Sequence, residues 1–222
     1  DLQDLQSVEK LAVTQADEIA RAAEVNPKGR TLGFIVPHVD DIEARCEGFI
    51  QKADHAYAAL FNIVKLFYGE DVGNKWFDSV YELIEQRYGV DDKFTLFLKE
   101  ALPFLRLVRN GRNCMEHPKE GQQLKICDFE LGSDGKIVPP LVEIIHPETA
   151  EPAIPISTFM KQVTDGIGTV FELMLGLLCA KNTQAFGKFA VEVVELPPEK
   201  RRNKHVRFTY AAWLGDKLVP TF

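Results

Sequence analysis

The six residues Arg112-Asn113-Cys114-Met115-Glu116-His117, closed by Pro118, hold the densest reactive chemistry in the chain. A histidine exchanges protons near neutral pH. An arginine is permanently charged and offers a planar fork matched to phosphate oxygens. Asn113 can orient the ring or donate to an anion. On a helix, Asn113 and His117 are four apart and share a face. A purely structural reading stands beside this one. A histidine before a proline at a helix end often only satisfies a carbonyl, and an arginine there often pairs with an acid such as Glu116.

Rival chemistries find little support. His38, His55, His146 and His205 are far apart in sequence and show no H-E-x-x-H or similar ligand spacing. Cys46, Cys114, Cys127 and Cys179 lack C-x-x-C spacing, so neither a zinc site nor a disulfide framework is expected. Reduced thiols, a cytoplasmic location and no cofactor are the expectation. No Walker loop, G-x-G-x-x-G or G-x-S-x-G occurs. Gly166-Ile167-Gly168 reads as helix packing rather than a phosphate loop.

The chain has 222 residues, 45% hydrophobic and 27% charged, as expected of a globular domain with a real core. Its net charge of -7 argues against a general polyanion binder. Locally the balance reverses: Lys99, Arg106, Arg109, Arg112 and Lys119 surround the motif against Glu100 and Glu116. A second basic cluster covers Lys200–Arg207, where a solvated turn is favoured over a nucleic-acid track. The longest apolar run, near Val170–Ala180, contains Glu172 and reads as too short to span a bilayer. No secretory leader is read at the start. The chain begins at Asp1 rather than Met, so an upstream piece is expected.

The elements that must position the motif are mostly helical. Residues 1–25 read as a weakly apolar helix, ended by Asn26-Pro27-Lys28-Gly29, and Thr31–Val36 as a strand or connector. Residues 40–68 give the clearest helix, with Asp40 or Asp41 as its cap and apolar residues from Ile42 to Tyr68 at threes and fours. A shorter helix covers about 74–88, ended by Gly89. A third starts at Asp91 or Asp92 and runs to Val108; Pro103 is expected to kink or split it. Asn110-Gly111 is expected to loosen the backbone before the motif. Residues 122–145 alternate with period two around a Gly132–Gly135 turn and predict a β-hairpin. Pro139-Pro140 marks its second strand as an edge or an interrupted strand. A Pro-rich connector (Pro147, Pro152, Pro155) leads to a helix capped by Ser157 and reaching Lys181. Residues 186–222 read as strand, charged turn, strand. The layout is an N-terminal helix and connector (1–39), a helical domain (40–182) and a C-terminal β appendage packed on it (183–222).

The Arg112-Asn113 pair and His117, with four residues between Arg and His, resemble the signature of the HEPN superfamily, whose members are small helical bundles and often ribonucleases of toxin–antitoxin and defence systems. The resemblance covers about residues 40–182. It implies a mainly α, HEPN-like bundle with an inserted β-hairpin and a small C-terminal β element. It also implies a symmetric homodimer in which two motifs meet across a cleft. Arg112, Asn113 and His117 are then the catalytic residues of a metal-independent endoribonuclease that uses the RNA 2′-OH as nucleophile. Arg109, Lys119, Glu116 and, on the earlier helix, Asp54 are the candidate substrate contacts. Members often carry a polar or acidic residue on an earlier helix, and Asp54 and His55 are the available candidates, with a solvated helix face as their bland alternative. RNA, and an antitoxin or regulatory protein, are the expected partners; a membrane is not. The alternative is a non-catalytic RNA- or protein-binding module of the same build.

Overall fold

The computed structural model describes residues 36–132, 136–185, 189–203, 207–214 and 217–220. The expected helix over 1–25, the stretch 31–35, the hairpin tip 133–135 and Lys204-His205-Val206 of the basic cluster lie outside them. The described chain is mainly α. Four α-helices occur among the described residues: α1 Ile42–Tyr68, α2 Phe77–Tyr88, α3 Lys93–Glu116 and α4 Ile156–Asn182. Eight short strands form three small antiparallel sheets: β1 Gln123–Cys127, β2 Glu130–Leu131, β3 Ile137–Val138, β4 Leu141–Ile145, β5 Glu151–Pro155, β6 Val191–Glu195, β7 Phe208–Leu214 and β8 Lys217–Pro220.

The described residues fall into two compact units. One joins the chain up to Ala56 with Pro103–Asp165; the other joins Tyr57–Leu102 with the chain from Gly166 on.

In the first unit, Ile42, Cys46, Ile50 and Ala53 of α1 are buried at threes and fours, the stripe that makes this segment a core helix. Phe49 meets Phe159 of α4 edge-on at 6.4 Å between ring centres. The sheet has the order β1-β4-β5. Its register sets Leu124 opposite Ile144 and Ile126 opposite Val142. Val142 and Ile144 are buried on one face of β4, while Lys125 and Glu143 bond across the other at 3.1 Å. This is the period-two alternation of a half-buried strand. A separate ladder pairs β2 with β3, so Pro139-Pro140 does interrupt the returning arm of the hairpin. β4 nevertheless becomes the central strand, because the expected Pro-rich connector forms β5 beside it. Pro152 and Pro155 are tolerated there because β5 is an edge strand, where some N–H groups have no ladder partner.

Three further local expectations are corrected. α3 is not split at Pro103: it stays helical through this residue, which sits on the exposed face where water can satisfy the carbonyl freed at Lys99. It also continues through Asn110-Gly111 into the motif, so that pair is ordered helix. α4 starts at Ile156, whose N–H donates to the Pro140 carbonyl at 2.9 Å, leaving Ser157 buried inside the first turn.

In the second unit, Phe61 stacks on Trp76 at 5.4 Å and meets Phe77 edge-on at 5.6 Å. Trp76 precedes α2 instead of opening it. The Asp92 carboxylate caps α3 through the Phe94 N–H at 2.9 Å and binds Lys181. Burial pushes the Asp92 carboxyl up, but Lys181 and the backbone donors pull it below the usual range. The C-terminal sheet has the order β6-β7-β8, one strand more than expected.

α4 alone among the described helices is long and apolar enough, by length and composition, to cross a membrane. Its 27 residues correct the expectation of a run too short to span. Phe159, Met160, Val163, Val170, Met174 and Leu178 are buried along one face of it.

Candidate functional site

The site lies in the first unit, where α3 closes on β4. A Cβ placed on Gly111 would lie 3.1 Å from Ile144 Cδ1 and 3.9 Å from Ile50 Cγ2. Glycine is therefore what lets the α3 backbone come this near the sheet. The approach brings Asn110 against the turn that follows β4. Its amide donates to Thr149 Oγ1 at 2.9 Å and lies 3.4 Å from His146 Nδ1.

Two neighbouring rows of α3 then carry the chemistry, each spaced by three and four. The first row is Asn110, Asn113 and His117. It opens into a cavity of about 520 Å³ that Lys119, Gln122, His146, Pro147 and Glu148 complete. His117 follows the last helical residue, yet its N–H still donates to the Asn113 carbonyl at 2.9 Å, so the two keep the shared face expected of them. The His117 side chain is exposed. Among the described residues no acid pairs with the Lys119 ammonium.

The second row is Arg109, Arg112 and Glu116. Arg112 pairs with Glu116 one turn on, and the other Glu116 oxygen accepts from Gln51 Nε2 at 3.4 Å. The same carboxylate comes within 4.0 Å of His117 Nε2. Asp54 of α1 joins this row electrostatically. Burial pushes its carboxyl up, and Arg112, Arg109 and His55 pull it back. Its Oδ1 is buried without a hydrogen-bond partner. His55 is exposed.

The structure thus groups Asn113, His117 and Lys119 in one cavity, and Arg112, Arg109, Glu116 and Asp54 beside it. His146 and Asn110 were missed by sequence reasoning. His146 stands 29 positions from His117, and only the β1–β4 pairing and the return of the chain to α3 bring them to one cavity. Period-two alternation in Leu141–Ile145 was the one available signal, because it fixes where the strand ends.

Two further groups read as structural. Arg207 bonds Glu195 at 2.7 Å and lies 3.8 Å from Glu172, and Arg201 donates to the Leu196 carbonyl at 2.9 Å. Arg201 and Arg207, within the described part of the basic cluster, are therefore engaged in local bonds. All four cysteines are free thiols, and burial pushes Cys46 up to about 12, which keeps it protonated and inert.

No family model, curated protein or solved structure matches the chain. The functional reading therefore rests on these residues and their geometry.

Proposed function

We propose that the chain is a metal-independent endoribonuclease of the HEPN type, a cytoplasmic toxin or defence-system component that acts as a symmetric homodimer. The observation that carries this reading is the pairing of rows on α3. Asn113 and His117 face a cavity, and the Arg112 guanidinium stands in the adjacent row with a carboxylate holding it in place.

In this reading His117 takes the proton of the RNA 2′-OH, and the 2′ oxygen attacks the adjacent phosphorus. Arg112 neutralises the non-bridging oxygens as charge gathers there. The P–O5′ bond breaks, and the 5′ oxygen takes a proton from the second copy of His117 across the dimer cleft. The products are a 2′,3′-cyclic phosphate and a 5′-hydroxyl. Glu116 and Asp54 orient Arg112 and Arg109 and do not touch the substrate, since a carboxylate there would repel phosphate. An oligodeoxynucleotide with a single ribonucleotide tests the chemistry: it is cut only at the ribose, with EDTA present. An oligonucleotide left intact at high protein concentration rules the reading out.

A second reading draws on the same ion pair. With Arg112 already engaged by Glu116, the row can serve as a fixed surface for an RNA, an antitoxin or a regulatory protein, without cleavage. His117→Ala then leaves the cellular phenotype intact, while charge reversal at Arg109 and Arg112 removes it.

A further inference from the structure

His146 lies outside the motif, yet it lines the same cavity as Asn113 and His117. Its surroundings select one tautomer. The Glu148 backbone N–H donates to His146 Nδ1 at 3.2 Å. A backbone N–H can only donate, so Nδ1 must present its lone pair. The neutral ring therefore carries its hydrogen on Nε2. Asn110 and Thr149 also approach Nδ1, at 3.4 and 3.5 Å, and Asn110 is itself fixed to Thr149. The ring is thus gripped along its Nδ1 edge by a turn that α3 holds in place. Nε2 has no protein partner among the described residues.

We infer that His146 offers its Nε2–H to a non-bridging oxygen of a phosphate bound in this cavity, beside Asn113, His117 and Lys119. The identification of that phosphate as part of an RNA rests on the ribonuclease reading above. With its hydrogen on Nε2, His146 is a donor at that atom and not a base, so proton abstraction stays with His117. The Glu148 carboxylate lines the same cavity, so its field is not strongly positive. Recognition there rests on directed donors: the His146 Nε2–H, the Asn113 amide and the Lys119 ammonium. The histidine comes from the same chain as the motif, so each protomer holds both rings.

The test uses the full chain labelled with nitrogen-15. Ring-nitrogen spectra of the wild type at neutral pH show His146 as the Nε2–H tautomer, and inorganic phosphate shifts the His146 and His117 rings together. His146→Ala weakens phosphate binding about tenfold and lowers RNA cleavage by about ten- to hundredfold. His146→Gln, whose amide N–H can replace the donor, keeps both within about threefold and leaves the pH profile of cleavage unmoved. An Nδ1–H tautomer overturns the inference, as does a His146→Ala protein that binds phosphate and cuts RNA like the wild type while cleavage still needs His117. Phosphate binding that depends on His146 in a protein that cuts no RNA upholds the anion site and defeats the nuclease reading alone. Should His146→Ala fail to fold, the wild-type tautomer and the His146→Gln protein decide the matter.

Discussion

Arg112 is ion-paired with Glu116 one turn along α3, in the row beside the one that carries Asn113 and His117. The pair costs the site some positive charge and gives the guanidinium a fixed direction. Replacing Glu116 by Gln removes the opposing charge and loosens the fork. RNA binding should tighten several-fold, and the slope of log affinity against log salt should steepen by about 0.7, the value for one more charge on a single strand. Stability should fall by less than about 1 kcal/mol, because the pair is partly exposed. Filter binding over a salt series checks this; an unchanged slope would mean that Glu116 does not mask Arg112.

Asp54 is an acid with one buried, unpartnered oxygen beside two arginines. Burial raises its folded carboxyl above the ordinary range. The folded protein therefore holds this proton more tightly than the unfolded chain does. Stability is then lost as pH rises from the unfolded value, about 3.9, through the folded one. Asp54→Asn should be more stable than the wild type at pH 7. The gain should shrink as pH falls toward 4. Urea melts at both pH values check the sign. Cleavage should drop in the same variant, because an acid kept at a cost in stability marks a working site.

Gly111 sets the distance between α3 and β4. A methyl there meets the movable end of Ile144, and alanine also gains about 1 kcal/mol of helix propensity. Gly111→Ala should stay within about 1 kcal/mol of the wild type. Gly111→Val should lose about 1–3 kcal/mol through overpacking, and should loosen the Asn110–Thr149 bond. Denaturant midpoints compare the two; a valine variant as stable as the wild type would show that α3 and β4 are not so closely packed.

The proposed symmetric dimer has a simple signature. Random mixing of wild-type and His117→Ala subunits in equal amounts gives about one quarter wild-type homodimer. If base and acid come from different chains, activity should fall to roughly one quarter of that of the same total amount of wild type. Independent sites should leave about half.

Much of this arrangement was legible in residue order. The stripes of α1 and α3 follow from apolar residues at threes and fours, and Gly89 ends α2 as expected, its N–H donating to the Glu85 carbonyl at 2.8 Å. Local rules misled where tertiary contacts overrode them. Pro103 stays helical because its side of α3 is exposed. Asn110-Gly111 stays helical where α3 packs against β4, with Gly111 set beside Ile144. β5 was hidden by its prolines, which are compatible with an edge but not a centre. His146 was invisible as a site residue because strand pairing, not spacing, carries it to His117.

In the proposed mechanism His117 performs proton transfer in metal-free RNA cleavage. The most direct measurement incubates wild-type and His117→Ala proteins, matched in melting temperature, with one RNA in excess EDTA and identifies the new ends. The wild type should leave 2′,3′-cyclic phosphate and 5′-hydroxyl ends, and His117→Ala should be slower by at least about a hundredfold. Equal cleavage by the two proteins, or none by the wild type, rules out that role for His117.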